Sequence, residues 1–345
     1  MIGLIGFAII IAAGIALKLP RGGLWGLVIF WWLIAVVTTS PFFLFGNPNP
    51  PVLGGNFVGW VMLGPAVATI MGYKALLRKV KSKAAVVPAA AVSTAFRSEE
   101  LDRYARHIML REIGGPGQRR LKDARVLVIG AGGLGSSALL YLAAAGVEVI
   151  GVIDDDLVDA SNLQRQIIHT DQRIGLPKVQ SAEVAIKALN PFVEVRPYQR
   201  RLTEEIAAEL IGDYDLILDG TDNFDTRYLV NRMAVAQGKP LISAAMTQWE
   251  GQISLYDPRR GSPCYECVFP TRPAPGLVPS CAEAGVAAPL PGIIGSLMAM
   301  EAVKEITGAG EGLRGRMMIF DALYADSRVI KVARRAGCAV CGGLH

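Results

Sequence analysis

No aspartate or glutamate precedes Glu99. Up to Lys83 the only charges are Lys18, Arg21, Lys74, Arg78, Lys79, Lys81 and Lys83, and between them lie long apolar runs. These seven cations exceed the whole net charge of +5, so the remainder of the chain is mildly acidic, at −2. The basic balance therefore does not describe a basic face on a folded domain, and nucleic acid is not an expected partner. Charged residues make up only 19% of the chain and apolar residues 52%, more apolar than an ordinary soluble domain. Histidine is scarce: His107, His169 and His345 are scattered, none has the setting of a general base, and the first two read as structural. Cysteine is also scarce, with five in 345 residues.

The apolar runs form three blocks, at about 2–17, 24–45 and 52–73. A membrane-spanning helix needs roughly 20 apolar residues, so three transmembrane helices are predicted over 1–83. The start carries neither a basic segment nor an evident small-residue cleavage site, so block one is read as a span and not as a cleaved signal. Lys18 and Arg21 lie after block one and a basic cluster follows block three, which predicts a cytoplasmic face for everything after Tyr73. The expectation is a multi-pass protein of the inner or plasma membrane with the domain that follows in the cytoplasm. No ionisable residue lies inside a block, which argues against a transport path and leaves anchoring. Residues 84–96, rich in Ala and Val, read as a linker, and 97–345 as the folded domain.

The segment 125–156 has the form strand, glycine turn, helix, strand. Residues 126–129 are an apolar run, Gly130-Ala131-Gly132-Gly133-Leu134-Gly135 follows, and a second apolar run ends in Asp154-Asp155-Asp156. Glycines permit close approach of backbone to phosphate at a helix N-terminus, and the acid suits ribose hydroxyls. Alone, this pattern serves a dehydrogenase as well as an ATP enzyme. Ser161-Asn162-Leu163-Gln164-Arg165-Gln166 and Gly175-Leu176-Pro177-Lys178 come next. Two cations just beyond the ribose acid suit a departing pyrophosphate. A third piece, Leu216-Ile217-Leu218-Asp219-Gly220-Thr221-Asp222-Asn223, ends an apolar strand in acids. Asp222 is a candidate Mg²⁺ ligand, and Asp219 reads as structural.

Together these residues resemble the ThiF/MoeB/HesA family, relatives of the ubiquitin-activating enzymes. The resemblance rests on Arg103-Tyr104-Ala105-Arg106, the glycine loop, Asp154, the run Ser161 to Gln166, Pro177-Lys178, Thr221-Asp222-Asn223, Glu250-Gly251-Gln252, Cys281-Ala282-Glu283-Ala284-Gly285-Val286 and two C-x-x-C pairs. It covers about 98–342, in the family's order. The resemblance implies that Gly130, Gly132, Gly133 and Gly135 form the phosphate loop and that Asp154 meets the ribose. Ser161, Asn162, Arg165 and Lys178 would serve the triphosphate, and Asp222 with Asn223 the Mg²⁺ and the reacting phosphate. Arg106 would reach into the site of a second copy, implying a homodimer. The implied reaction is ATP-dependent adenylation of the C-terminal glycine carboxylate of a ubiquitin-like sulfur carrier ending in Gly-Gly, as in molybdopterin or thiamine synthesis. No sulfurtransferase segment follows Cys341, so the persulfide is expected from elsewhere.

Cys264-x-x-Cys267 and Cys338-x-x-Cys341 make a Cys₄ set suited to a closed, structural Zn²⁺ site of the MoeB-like group. Cys281 remains. In some relatives a cysteine in this loop bonds covalently to the carrier, in others it is dispensable, and both readings stay open. The competing functions are activation of another carboxylate or carbonyl, in a peptide tail or a modified tRNA, a non-catalytic membrane scaffold, and, more distantly, a dehydrogenase. The expected fold is α/β: a Rossmann-like, mostly parallel sheet with flanking helices. Further strands are predicted at 193–195, 216–218, 241–243, 316–320 and 328–332, and helices at 177–189, 226–237 and 289–307.

Overall fold

The computed structural model describes residues 21–40, 57–84, 96–273 and 284–344. The chain divides into two units, Met1–Val92 and Ser93–His345.

The first unit contains α1 (Arg21–Thr38) and α2 (Phe57–Ala84). The Trp32 indole donates to the carbonyl of Trp60 at 2.7 Å. Gly64 lies against the same ring, where a β-carbon would collide with it. Among the described residues no helix is long and apolar enough to cross a membrane. This corrects the predicted spans at 24–45 and 52–73, and with them the multi-pass membrane localisation and the anchor. The span at 2–17 lies outside the described residues. Counting apolar residues ignored where helices begin and end. The 18 residues of α1 start at a charged Arg21 and rise only about 27 Å, short of a hydrocarbon core of about 30 Å. In α2 the helix runs on through Pro65, which has no N–H to donate, and its apolar stretch stops at Lys74.

The second unit begins with α3 (Ser98–Ile108) and α4 (Gly114–Asp123), joined by a buried ion pair between Lys122 and Glu100. Then follow β1 (Arg125–Ile129), α5 (Gly133–Ala145), β2 (Val149–Ile153), α6 (Lys178–Leu189), β3 (Glu194–Tyr198), α7 (Glu204–Gly212), β4 (Leu216–Asp219), α8 (Phe224–Gln237) and β5 (Leu241–Met246). After these come β6 (Glu250–Tyr256), the short α9 (Tyr265–Val268), α10 (Leu290–Thr307), β7 (Arg316–Asp321) and β8 (Asp326–Lys331). The eight strands form one sheet in the order β3-β2-β1-β4-β5-β6-β7-β8. β1 to β5 are parallel, and β6, β7 and β8 each run antiparallel to the neighbour before them.

Side chains of β1 alternate between two cores. Val126 and Val128 pack with Leu139, Ile294 and Met298, and Leu127 and Ile129 with Ile211, Ile217 and Val230. Both faces of the parallel half are thus covered, which is why its strands read as continuous apolar runs. Helix α10 lies hard against α5, so that a β-carbon at Gly295 would run into the Leu134 carbonyl. The chain steps outward from β1 through β2 to β3, then returns to place β4 on the other side of β1. In such sheets the order reversal opens a crevice at the carboxyl ends of the central strands. Here that crevice lies beyond β1 and β4.

Candidate active site

The glycine loop leaves β1 through Gly130, whose φ of +92° is open to glycine and strained for other residues. At Gly135 a β-carbon would collide with the carbonyl of Gly130, so the start of α5 packs directly on the end of β1. Asp154, at the end of β2, braces this loop. Its Oδ2 accepts from the Ala131 N–H at 2.7 Å and its Oδ1 from the Asp156 N–H at 2.9 Å. Burial pushes the Asp154 carboxyl above its ordinary range, against the pull of these N–H groups and of Lys178. His169 holds the loop from the other side. Its Nε2 is 2.9 Å from the Ala131 carbonyl and its Nδ1 is 2.8 Å from Ser181 Oγ. A carbonyl only accepts, so Nε2 carries the hydrogen and Nδ1 accepts from the serine. Burial lowers the His169 pKa from 6.5 to about 4, which keeps the ring neutral in this role.

The two cations arrive from the crossover between β2 and β3. Lys178, the first residue of α6, is buried and pairs with Asp156 Oδ2 at 2.7 Å. Arg165 Nη2 donates to Asn162 Oδ1 at 3.0 Å. Ser161 turns away: its hydroxyl donates to Asp159 Oδ1 at 2.5 Å. From β4, Asp219 is buried and accepts from Thr221 Oγ1 at 2.7 Å and Ser243 Oγ at 2.9 Å. Asp222 is exposed at the mouth. Asn223 caps α8, its side chain accepting from Thr226 N at 3.2 Å.

These parts line one cleft of about 860 Å³. Gly130, Gly132, Gly133, Asp154, Asn162 and Arg165 are on its wall, together with Lys178, Asp222 and Asn223. Gly135 and Ser161 are not. Arg106 is exposed on α3 and outside this cleft. Cys281 lies outside the described residues. The grouped acids Asp154, Asp155 and Asp156 stand together at one end, and Asp222 belongs to no such group of three among the described residues.

Three arginines of the wall escaped the sequence reading. Arg227 is buried within α8, 3.6 Å from Asp219 Oδ2 and 3.2 Å from Ser243 Oγ, and also donates to the Thr221 carbonyl. It fixes the turn that carries Asp222. Arg200 and Arg201 stand exposed after β3 and line the same cleft. An arginine five residues after Asp222 was the available signal for Arg227, since that spacing returns it to the first turn of the helix.

The cysteines converge behind this wall. Their sulfurs all lie within 4.8 Å of one another, with Cys264 to Cys267 at 3.8 Å, Cys264 to Cys338 at 3.7 Å and Cys267 to Cys341 at 3.3 Å. A tetrahedral Zn²⁺ with sulfur ligands at about 2.3 Å needs sulfur-to-sulfur edges near 3.8 Å. The distances are far beyond a disulfide bond, and all four are free thiols. Burial pushes the Cys264 thiol up, whereas hydrogen bonds from Val340, Cys341 and neighbouring thiols bring Cys338, despite its burial, down to about 6. The knuckle at Cys264 is bound to α8, because the Tyr265 N–H donates to Asn231 Oδ1 at 2.9 Å. Tyr265 and Phe269, which flank the second knuckle cysteine, line the cleft.

The arrangement is matched by known proteins. Residues 104–340 match the ThiF family over most of the chain. The chain belongs to the ThiF family. By that membership it is an adenylyltransferase. It is 50% identical over 248 residues to a sulfur carrier protein adenylyltransferase of Thermus thermophilus, covering 71% of this chain and 92% of that protein. It is 50% identical over 252 residues to the probable adenylyltransferase/sulfurtransferase MoeZ of Mycobacterium tuberculosis, covering 72% of this chain but only 63% of MoeZ. The SAMP-activating enzyme E1 of Haloferax volcanii is 44% identical over 243 residues, with 70% of this chain and 89% of that protein covered. Among solved structures, Escherichia coli MccB superposes with a TM-score of 0.63 at 22% identity over 70% of this chain and 75% of that one. PaaA superposes at 0.61 and 23% over 83% and 91%. At these identities the structures support the shared fold.

Proposed function

We propose that this chain uses ATP to adenylate the C-terminal glycine carboxylate of a ubiquitin-like sulfur-carrier protein, releasing pyrophosphate. The observation that carries the reading is the meeting of three separate elements in one cleft: the glycine loop after β1, Arg165 and Lys178 from the crossover, and Asp222 after β4. Open backbone at the glycines suits phosphates, as does the start of α5. Asp154 spends one lone pair of each oxygen on backbone N–H groups and keeps the others for ribose hydroxyls. The relatives named for sulfur-carrier and SAMP activation supply the substrate class.

A carboxylate at the end of a peptide is already ionised at neutral pH, so its attack on the α-phosphate needs no base. The site fits this: His169, buried behind the glycine loop and not on the wall of the cleft, has both nitrogens engaged. Arg165 and Lys178 would offset charge as pyrophosphate separates, so that catalysis is positioning plus electrostatic stabilisation. Asp222, exposed at the mouth, would hold Mg²⁺. Arg106, exposed and outside its own cleft, would complete the cleft of a second copy in a homodimer. The four cysteines fit Zn²⁺ with no open position, a structural role.

The test is carrier-dependent ATP–pyrophosphate exchange by the purified full chain. Candidate carriers are added intact or without the terminal Gly-Gly. Exchange that requires the intact tail is expected, together with its loss in Asp222→Ala. Exchange that is indifferent to the tail would move the reading to a different carboxylate.

A further inference from the structure

Asn162 Oδ1 receives two donors, Arg165 Nη2 at 3.0 Å and Gln166 Nε2 at 3.1 Å. A guanidinium has donors only, so the Asn162 atom facing it is the oxygen. That choice fixes everything around it. The Asn162 amide nitrogen points the other way and, among the described residues, has one weak contact, Ser161 Oγ at 3.5 Å. Gln166 must then offer its own nitrogen to Asn162 Oδ1, because its oxygen would meet another oxygen. The Gln166 side-chain carbonyl is left facing into the protein, where it is buried and has no hydrogen-bond partner among the described residues. Gln166 is only 5% exposed and packs beside Gly132 of the glycine loop.

A buried carbonyl without a donor is unfavourable, and a residue serving only to fill space would be better as a hydrocarbon of the same size. Something must be gained by the amide. The gain visible in the geometry is the orientation of Asn162. Asn162 is on the cleft wall, and with its oxygen held by Arg165 and Gln166 together, the part of its amide left for a ligand is the N–H₂ group. A surface of donors alone suits phosphate oxygens, which only accept.

We propose that Gln166 is a positioning residue for ATP: it gives up a hydrogen bond of its own to lock the Asn162 amide with its donors toward the triphosphate. This rests on the adenylation reading above and deepens it. Gln166 is itself on the cleft wall, but its free oxygen is buried, so the role assigned to it is to hold Asn162.

The variants are Gln166→Met, which keeps the volume and removes both donor and orphan carbonyl, and Gln166→Glu, which can only accept at this position. Each is measured alone and on an Asn162→Ala background. ATP affinity is read by calorimetry, stability by thermal unfolding of the nucleotide-free chain, and KM and kcat by pyrophosphate exchange. For Gln166→Met the unfolding midpoint is expected to stay level or rise. ATP affinity should fall about tenfold, the worth of one good hydrogen bond, seen in KM and not in kcat. Gln166→Glu should bind more weakly still, because Asn162 then turns its oxygen to the phosphates. On the Asn162→Ala background the Gln166→Met loss should vanish. A Gln166→Met variant that binds ATP like the wild type would overturn the proposal. So would a lowered midpoint, which would mark Gln166 as packing, or a loss that persists without Asn162. A wild-type chain that binds no ATP would instead remove the adenylation reading, and this proposal with it.

Discussion

Lys178 Nζ lies 2.7 Å from Asp156 Oδ2, and of the two groups only the carboxylate is open to solvent, the ammonium side chain being 6% exposed and the acid 65%. The pair is lopsided. A buried ammonium needs a counter-charge far more than an exposed carboxylate does.

Asp156→Asn should therefore cost the nucleotide-free chain about 1 kcal/mol, a modest figure because the acid is exposed. A triphosphate bound beside Lys178 supplies the missing anion. ATP should then raise the unfolding midpoint of Asp156→Asn more than that of the wild type. Thermal shifts with and without ATP measure the difference. An equal or smaller ATP effect in the variant would mean that Lys178 does not face the phosphates.

Arg227 is the sole cation paired with the buried Asp219 among the described residues. Arg227→Met leaves that carboxylate in the interior without its charge partner, a loss of about 3–5 kcal/mol. Exchange activity should fall alongside, since the turn bearing Asp222 loses its bond to the Thr221 carbonyl. The double variant Arg227→Met, Asp219→Asn should recover much of the stability and little of the activity. Urea unfolding and exchange rates separate the two effects.

His169 makes the chain sensitive to mild acid. Its folded pKa is about 4 against an ordinary 6.5, so above pH 6.5 both folded and unfolded states hold it neutral. As pH falls through 6.5 the unfolded chain takes up a proton that the native chain refuses, and stability is lost until about pH 4. The loss over that window is on the order of 3 kcal/mol. His169→Gln should be less stable at pH 7, yet its stability should fall less steeply between pH 6.5 and pH 4. Parallel slopes in urea titrations across that range would refute this account of the ring.

The purified chain should carry close to one equivalent of Zn²⁺, lost together with stability on Cys338→Ser. Metal analysis and unfolding midpoints before and after chelation measure this. Because the Cys264 knuckle is tied to α8 through Asn231, chelation should also weaken ATP binding. A chain that keeps full affinity without metal would confine the cysteines to holding residues 338–341.

Local pattern reported well on the parallel half of the sheet. The run 126–129 and its glycine turn became β1 and the start of α5, because a strand buried on both faces has little room for anything but Val, Leu and Ile. The predicted helix at 289–307 is α10, Leu290–Thr307. Strand β6 was overlooked, since Gly251, Gln252 and Ser254 interrupt its apolar pattern. Arg227 and His169 were illegible as site residues for one reason. Each works by touching partners from other elements, and nothing in a linear chain shows that Arg227 will meet Ser243 or that His169 will meet Ala131. The membrane reading failed for a related reason: hydrophobicity is a property of composition, whereas spanning depends on where helix ends fall.

Each cysteine of the first C-x-x-C pair meets a partner 74 residues further along the chain. With Zn²⁺ in place, everything between becomes a closed ring holding α10, β7 and β8. By the chain-entropy account, a cross-link around a ring of this size removes about 4 kcal/mol of disorder from the unfolded chain. A ring also has a topological property that a clipped tail lacks. Cutting it once leaves the two pieces joined through the metal, so a nick within it would show no separation of fragments until a chelator is added.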